Sequence, residues 1–353
     1  MNHIQTAGMR GQDKGFRRVS AWFCWAAAAI LCLPGTALVV LRWIPWDVGT
    51  PWIQLLSLFP ASVLPTATAC GIAIVAVCLD PQPTRTILAA LVTAVLLLQL
   101  MVVAPRVMSA GGATTDLQAT APVDSPGTGR TVTVMALNVG SMGVDAVALL
   151  SLARARNIDI LALPELAPPG LEALEAAGLA AHFPYRALDV DWAGTGSAIF
   201  SRFPPDSSAR VPESNFYQSR AEAAIPGTSG GIHVTAVHID SPRPGHTPFW
   251  RKELRQLGDL QRALPGSPAI LLGDFNAGHD HREFRELLAT GLTDAAQAAG
   301  KGLAPTWPSE SSIPPFVALD HVLVTPNIEV RAFATITVLG TDHSGVVEEL
   351  AVP

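Results

Sequence analysis

Three stretches between Ala21 and Ala104 contain no charged residue, and a chain that carries them has few ways to fold. They run Ala21–Leu41, Trp52–Leu79 and Ile87–Ala104. A helix needs about 20 apolar residues to cross roughly 30 Å of hydrocarbon. A signal peptide would have an apolar core of only ~7–15 residues, so three spans fit better than one cleaved leader. Pro60 and Pro65 interrupt the second stretch, which a membrane helix tolerates when its neighbours satisfy the freed carbonyls. The expected organisation is a basic cytoplasmic N-terminus over 1–19, three transmembrane helices within 20–105 (about 21–41, 52–79 and 87–104), a linker over 106–129 and a folded domain over 130–353. Arg10, Lys14, Arg17 and Arg18 face a single Asp13 at the N-terminus, and Arg85 lies in the second loop. An excess of Lys and Arg marks cytoplasmic segments. Arg42 in the first loop counts against this orientation. Three crossings then leave the domain on the extracytoplasmic side of the cell membrane, with the lipid bilayer as a partner.

Composition supports the division. The whole chain is 49% hydrophobic, with a mean hydropathy of +0.34, too apolar for an ordinary soluble domain. The excess lies before residue 106. The 106–129 segment is rich in Gly, Ala, Ser, Thr and Pro without periodicity, the composition of a flexible linker. From Arg130 onward lie 16 of the 23 Lys and Arg and 24 of the 29 Asp and Glu, a net charge of −8 that leaves +2 for the residues before. All four cysteines (Cys24, Cys32, Cys70, Cys78) precede that point, so the C-terminal domain has no disulfide, thiolate ligand or thiol nucleophile.

Within 130–353 apolar periodicity switches repeatedly between two and 3.6 residues. Strands are expected at Thr131–Leu137, Ile158–Leu163, Ser197–Phe200, Gly231–His238, Ala269–Leu272, Leu319–Val324, Ala334–Val338 and Val346–Val352. Helices are expected at Ala146–Arg156, Leu171–Gly178 and Phe249–Leu264, where Leu254, Leu257, Leu260 and Leu264 share one face. Asp280, with Glu283 three residues on, has the pattern of a capping box opening a helix that runs to Leu288. Strands followed by helices, then hairpin-like strands, predict an α/β fold of two packed β-sheets flanked by helices, behind the transmembrane α-helical region.

Chemically capable side chains recur where the apolar runs stop: Asn138, Glu165, His238, Asp274 with Asn276, Asp320 with His321, and Asp342 with His343. Singly, each has an ordinary reading as a turn residue, a solvated acid or a satisfied core histidine. Together, six strand ends carrying amides, carboxylates and imidazoles are what a hydrolytic metal site on a sheet rim requires. Asp274 and Asn276, two residues apart on extended chain, can converge on one target.

In order along the chain stand Leu137-Asn138-Val139-Gly140, Leu163-Pro164-Glu165, Gly196-Ser197-Ala198-Ile199-Phe200-Ser201-Arg202, Val237-His238, Gly273-Asp274-Phe275-Asn276, Leu319-Asp320-His321-Val322 and Thr341-Asp342-His343-Ser344. This series resembles the endonuclease/exonuclease/phosphatase superfamily of DNase I-like nucleases, abasic-site endonucleases, neutral sphingomyelinases and inositol polyphosphate 5-phosphatases. The resemblance implies a four-layered α/β sandwich and metal-dependent cleavage of phosphate esters. It implies that Glu165 and Asn138 hold Mg²⁺ or Mn²⁺, with Asp342 as a further metal contact, and hard oxygen donors suit those ions. It also implies that Asp274 handles the attacking water, that Asn276 and His238 contact the phosphate or leaving group, and that His343 is oriented by Asp320. Whether Asp274 or His343 takes the proton stays open. Pro164 replaces the glutamine common before the metal glutamate, and Gly140 replaces an acid found in abasic-site endonucleases. Arg220 is equally consistent with a phosphate contact and with a surface arginine. His279, His281 and His321 read as structural.

The expectation is therefore a membrane-anchored phosphoesterase acting on nucleic acid, a phospholipid head group or a small phosphodiester, with no obligate protein partner. A domain charge of −8 disfavours strong non-specific duplex binding, which draws on many Lys and Arg contacts. The rival is a catalytically idle membrane protein that uses the domain to bind a phosphorylated ligand or a partner.

Overall fold

Apolar residues on both faces of Arg130–Ala136 (β1) require a covering layer on each side, and the computed structural model supplies two. It describes residues 2–44, 47–108, 129–140, 143–228 and 230–353. Most of the predicted linker, 109–128, lies outside these. In chain order the helices are α1 (Asn2–Trp43), α2 (Trp52–Leu56), α3 (Val63–Leu79), α4 (Pro83–Val103), α5 (Ala146–Ala155), α6 (Pro168–Ala176), α7 (Thr247–Arg262), α8 (Arg282–Leu288) and α9 (Ala295–Ala298). The strands after β1 are β2 (Ile160–Pro164), β3 (Tyr185–Asp189), β4 (Ser197–Ser201), β5 (Pro205–Arg210), β6 (Ser219–Ala223), β7 (Ile232–His238), β8 (Ala269–Asp274), β9 (Thr293–Asp294), β10 (Asp320–Val324), β11 (Glu329–Thr337) and β12 (Ser344–Val352).

The chain divides into two compact units, Met1–Asp47 with Leu58–Ala104, and Val48–Ser57 with Pro105–Pro353. The first holds α1, α3 and α4. Its interior is made of small side chains, Ala28, Ala69 and Ala73 with Cys32. A Cβ added at Gly35 would stand 2.3 Å from the Thr66 hydroxyl. Small residues let helix backbones approach closely where lipid gives no hydrophobic drive for association. Trp22, Ile30, Leu33, Leu64, Ile74 and Leu91 face outward instead, the reverse of a water-soluble bundle. Three helices, Gly15–Trp43, Pro60–Leu79 and Pro83–Val107, are long and apolar enough to cross a membrane.

In the second unit one sheet has the order β11-β12-β1-β2-β4-β3 and the other β5-β6-β7-β8-β10-β9. Val132, Val134 and Ala136 of β1 meet Ile270 and Leu272 of β8 between the sheets. Met135, Leu161 and Leu163 face α5 and α6 outside the first sheet. Val237, Leu271 and Leu323 face Trp250, Leu254 and Phe284 outside the second. The result is the four-layered α/β sandwich. Each fully buried Leu or Phe contributes about 1.5–3 kcal/mol. Asp145 caps α5 by accepting from the backbone N–H groups of Val147 and Ala148. Asp145→Ala is expected to cost about 1 kcal/mol, measurable as a lower midpoint of thermal unfolding, and an unchanged midpoint would dismiss the cap.

Differences from the sequence expectation have local causes. Arg220 lies within β6, a strand the periodicity does not predict. Ala221 and Ala223 point into the core between the sheets, so Arg220 points to the outer face. The Asp280 capping box does not form. The Asp280 carboxylate is bound by Arg106 and that of Glu283 by Arg251, and α8 begins two residues later at Arg282. Trp52–Ser57, read as the start of the second apolar span, lies in the unit that holds the sandwich.

Candidate active site

Strand direction gathers the site. β1 and β2 are parallel, as are β7 and β8, so the carboxyl ends of each pair lie together. β10 and β12 run antiparallel to β8 and β1, so their amino ends fall on the same rim. Asn138 and Glu165 follow β1 and β2. His238 and Asp274 end β7 and β8 as register partners, Asp320 opens β10 opposite Asp274, and His343 precedes β12.

Asn138 is the hub. Its Nδ2 donates to Glu165 Oε1 at 3.0 Å and to Asp274 Oδ2 at 3.1 Å. Its Oδ1 accepts from Gly140 N at 3.0 Å, and its backbone carbonyl accepts from the Thr341 hydroxyl at 2.7 Å. Glu165 sits in the left-handed region at φ 60°, and Asn276 at φ 45°. Such backbone strain is tolerated only where the surroundings over-determine it, and it concentrates at functional sites. Burial opposes ionisation of Glu165. Hydrogen bonds from His238 and Asn138, together with the positive charge of His238 and His343, outweigh it and hold the carboxyl below its ordinary value. The Glu165 side chain is 29% exposed, so it is half-buried and reachable.

His238 Nε2 lies 3.5 Å from Glu165 Oε1, and its Nδ1 has no hydrogen-bond partner among the described residues. Phe216 packs against its ring with centroids 4.6 Å apart. Asp274 accepts from Asn276 N at 2.8 Å and from Asn276 Nδ2 at 3.2 Å, and Asn276 Nδ2 also donates to Ile239 O at 2.8 Å. His343 Nδ1 donates to Asp320 Oδ2 at 2.8 Å, and His343 Nε2 lies 3.8 Å from Asp274 Oδ2. Burial would depress the His343 pKa, but the Asp320 and Asp274 carboxylates raise it to about 10. Burial, aided by Asp320, pushes Asp274 up to about 6 against the opposing pull of His343 and His238. Seven of the sequence-derived residues thus form one contact network. Asp342 stands apart: it is exposed, and its Oδ2 accepts from the Trp307 indole at 3.0 Å.

The donor chemistry fits a hard divalent cation. Asp274, Asp320 and His343 each offer an atom within 4.8 Å of the others. Asp320 Oδ1 has no hydrogen-bond partner among the described residues. Glu165 and Asn138 add further oxygen donors beside them, and no sulfur is present. Sequence reasoning missed Phe216, which packs on His238, and gave no role to Thr341, which donates to Asn138 O. It also missed the ion network beneath. His321 donates from Nδ1 to Asp294 Oδ2 at 2.9 Å and from Nε2 to Ala277 O at 3.0 Å. Both acceptors are oxygens that cannot donate, so His321 is an imidazolium.

A comparison with curated proteins finds no significant match. Solved structures share the fold. An endonuclease/exonuclease/phosphatase family protein from Bacteroides thetaiotaomicron superposes with a TM-score of 0.50 at 17% identity, covering 64% of this chain and 99% of that one. The counterpart from Bacteroides vulgatus gives 0.53 at 15%, covering 64% and 100%. D. rerio TDP2, complexed with a single-strand DNA product, gives 0.52 at 17%, covering 62% and 98%. The model of the Endonuclease/Exonuclease/phosphatase family matches residues 135–343, which spans Asn138 through His343 and more than half the chain. The chain belongs to the endonuclease/exonuclease/phosphatase family.

Proposed function

We propose that the protein is a membrane-anchored phosphoesterase, dependent on Mg²⁺ or Mn²⁺, that hydrolyses phosphodiester or phosphomonoester bonds outside the cytoplasm. The observation that carries this reading is the Asn138 amide, which ties Glu165 to Asp274 beside the Asp320–His343 pair. Family membership supports phosphoester hydrolysis, and the oxygen-rich donor set supports the metal.

Glu165 and Asn138 would hold the ion, with Asp342 the remaining candidate contact. When bound, a divalent ion supplies Lewis-acid polarisation of a phosphoryl oxygen. The protein's own groups do the rest. Asp274, with its carboxyl raised to about 6, takes the proton of the attacking water near neutral pH. His343, kept cationic by two carboxylates, neutralises charge on the phosphate. Asn276 fixes the Asp274 carboxylate through two hydrogen bonds. His238, whose Nε2 lies 3.5 Å from the Glu165 carboxylate, is the remaining candidate contact to the phosphate or leaving group.

Anchoring favours substrates at or near a bilayer: phospholipid head groups, small phosphodiesters or extracellular nucleic acid. The DNA product bound to the D. rerio protein keeps single strands in the set. The basic N-terminus supports the outward placement. The grouping of Val48–Ser57 with the sandwich agrees with three crossings, which put the first loop and the domain on one side, whichever side that is. The test is the full chain in detergent with bis-p-nitrophenyl phosphate, then with DNA, sphingomyelin and inositol phosphates. Turnover with Mg²⁺ or Mn²⁺ that EDTA abolishes is expected. No metal-dependent turnover on any of these substrates would overturn the enzyme reading and leave the ligand-binding one.

A further inference from the structure

The loop that follows Asn276 is held by segments far away in sequence. Asp280 receives both Arg106 Nη groups, at 2.7 and 2.6 Å, in a buried ion pair. His281 Nδ1 accepts from Gly278 N at 2.9 Å, so its proton is on Nε2, which donates to Ile53 O at 2.9 Å. Arg251 Nε donates to Glu283 at 2.7 Å, and its Nη2 donates to Val48 O. Thr50 Oγ1 donates to Pro242 O at 3.0 Å. Ile53, only 1% exposed, is buried in the cluster that contains Trp250, Phe284 and Leu287. Trp250 packs edge-on against His281 at 5.4 Å, and its Nε1 donates to Asn276 O at 3.0 Å. Val48–Ser57 joins the first two apolar helices in sequence, and Arg106 lies at the end of the third.

We infer that Ile53 and Arg106 are positioning residues of the phosphoester site. They lock Ala277–Glu283 from two sides and thereby fix the left-handed backbone of Asn276 and the two hydrogen bonds it gives Asp274. The inference rests on the phosphoesterase reading for its catalytic consequence, but not for its structural one. Truncating Ile53 opens the apolar cluster that holds Trp250 and loosens the segment whose backbone carbonyl accepts from His281. Without Arg106 the buried Asp280 carboxylate loses two charge-assisted hydrogen bonds, which a protein relieves by moving the loop. Either change releases Asn276 toward ordinary backbone angles and turns Asp274 out of line. The two segments are therefore parts of the catalytic machinery in this chain, and a fragment starting at Arg130 lacks both.

The test uses the full chain in detergent with bis-p-nitrophenyl phosphate and Mn²⁺. It compares wild type with Ile53→Ala, Ile53→Val and the double variant Arg106→Ala/Asp280→Ala, which removes both members of the buried pair together. Ile53→Ala and the double variant are expected to lose about 10- to 100-fold in kcat with KM nearly unchanged, as for a misplaced reacting group. Ile53→Val should retain most of the rate. Hydrogen exchange should show protection lost in the peptide spanning 275–283 and kept in β1 and β2, which separates misplacement from unfolding. Wild-type kcat with a loosened loop, or unchanged protection at 275–283, would overturn the inference. A wild-type chain with no turnover would overturn the phosphoesterase reading instead, and the exchange measurement would still decide whether Ile53 and Arg106 hold the loop.

Discussion

Asp274→Asn is expected to lower kcat by about 10²–10⁴-fold, the contribution of a positioned general base, while the fold stays intact. The substitution preserves shape. An asparagine oxygen in the place of Oδ2 can still accept from Asn138 Nδ2 and Asn276 Nδ2, at 3.1 and 3.2 Å, while its amide nitrogen cannot accept from Asn276 N, which donates to Oδ1 at 2.8 Å. Lost are the charge opposite His343 Nε2, 3.8 Å away, and the capacity to take a proton. Because Asp274 is fully buried and its pKa already raised to about 6, neutralising it does not leave an unmatched ion in the core. The one acceptor lost opposite Asn276 N should cost about 1–3 kcal/mol at most, so the variant should still unfold in a single cooperative transition. His343→Ala should cost a similar factor, and the double variant should fall little further than the worse single one, since residues acting as a unit are not additive. Steady-state kinetics with circular dichroism checks all three. Wild-type turnover in Asp274→Asn would remove that carboxylate from the chemistry.

Glu348→Met is expected to stabilise the unit that holds the sandwich. Glu348 lies in β12 with its neighbours Val346 and Leu350 in the core between the sheets. It is 0% exposed, and neither carboxyl oxygen has a hydrogen-bond partner among the described residues. Burial, with a smaller effect from the Asp294 carboxylate, pushes its pKa well above the ordinary value. A buried polar group without a partner costs about 1–3 kcal/mol, and for a unit of this size each kcal/mol moves the midpoint by about 2–4 °C. The folded pKa lies above the unfolded one, near 4.3. Stability linked to this group is thus complete below that pH and is lost as pH rises toward the folded pKa. The advantage of Glu348→Met should widen from pH 4 to pH 8 in thermal unfolding of the full chain in detergent. A constant or narrowing gap would mean that Glu348 ionises without penalty in the folded protein.

Both variants bear on how much of the molecule can be read from residues in order. The central strands are legible because they are apolar on both faces: β1, β2 and β8 read as runs such as TVTVMA and AILLG that only a layered sheet can bury. β3, β5 and β6 are not. β3 and β5 are edge strands and β6 lies next to one, and they carry Arg186, Ser207, Ser208 and Arg220, with no apolar period to detect. The capping box at Asp280 illustrates the other limit. Its local pattern is sound, but a buried charge-assisted pair with Arg106, 174 positions earlier, competes with a cap and wins, because a buried carboxylate must find a cation.

By itself the sequence determined three lipid-compatible helices, an α/β sandwich, and a set of polar residues waiting at strand ends. These follow from local periodicity and from the few structures that can satisfy backbone groups in lipid or in a two-sided core. Only the tertiary structure decided that Asn138 bridges Glu165 and Asp274, that Asp342 turns to Trp307, and that Ile53 and Arg106 brace the loop behind Asn276. Those choices depend on strand direction and on which distant donor reaches a buried acceptor first, and neither is encoded within a short window of residues.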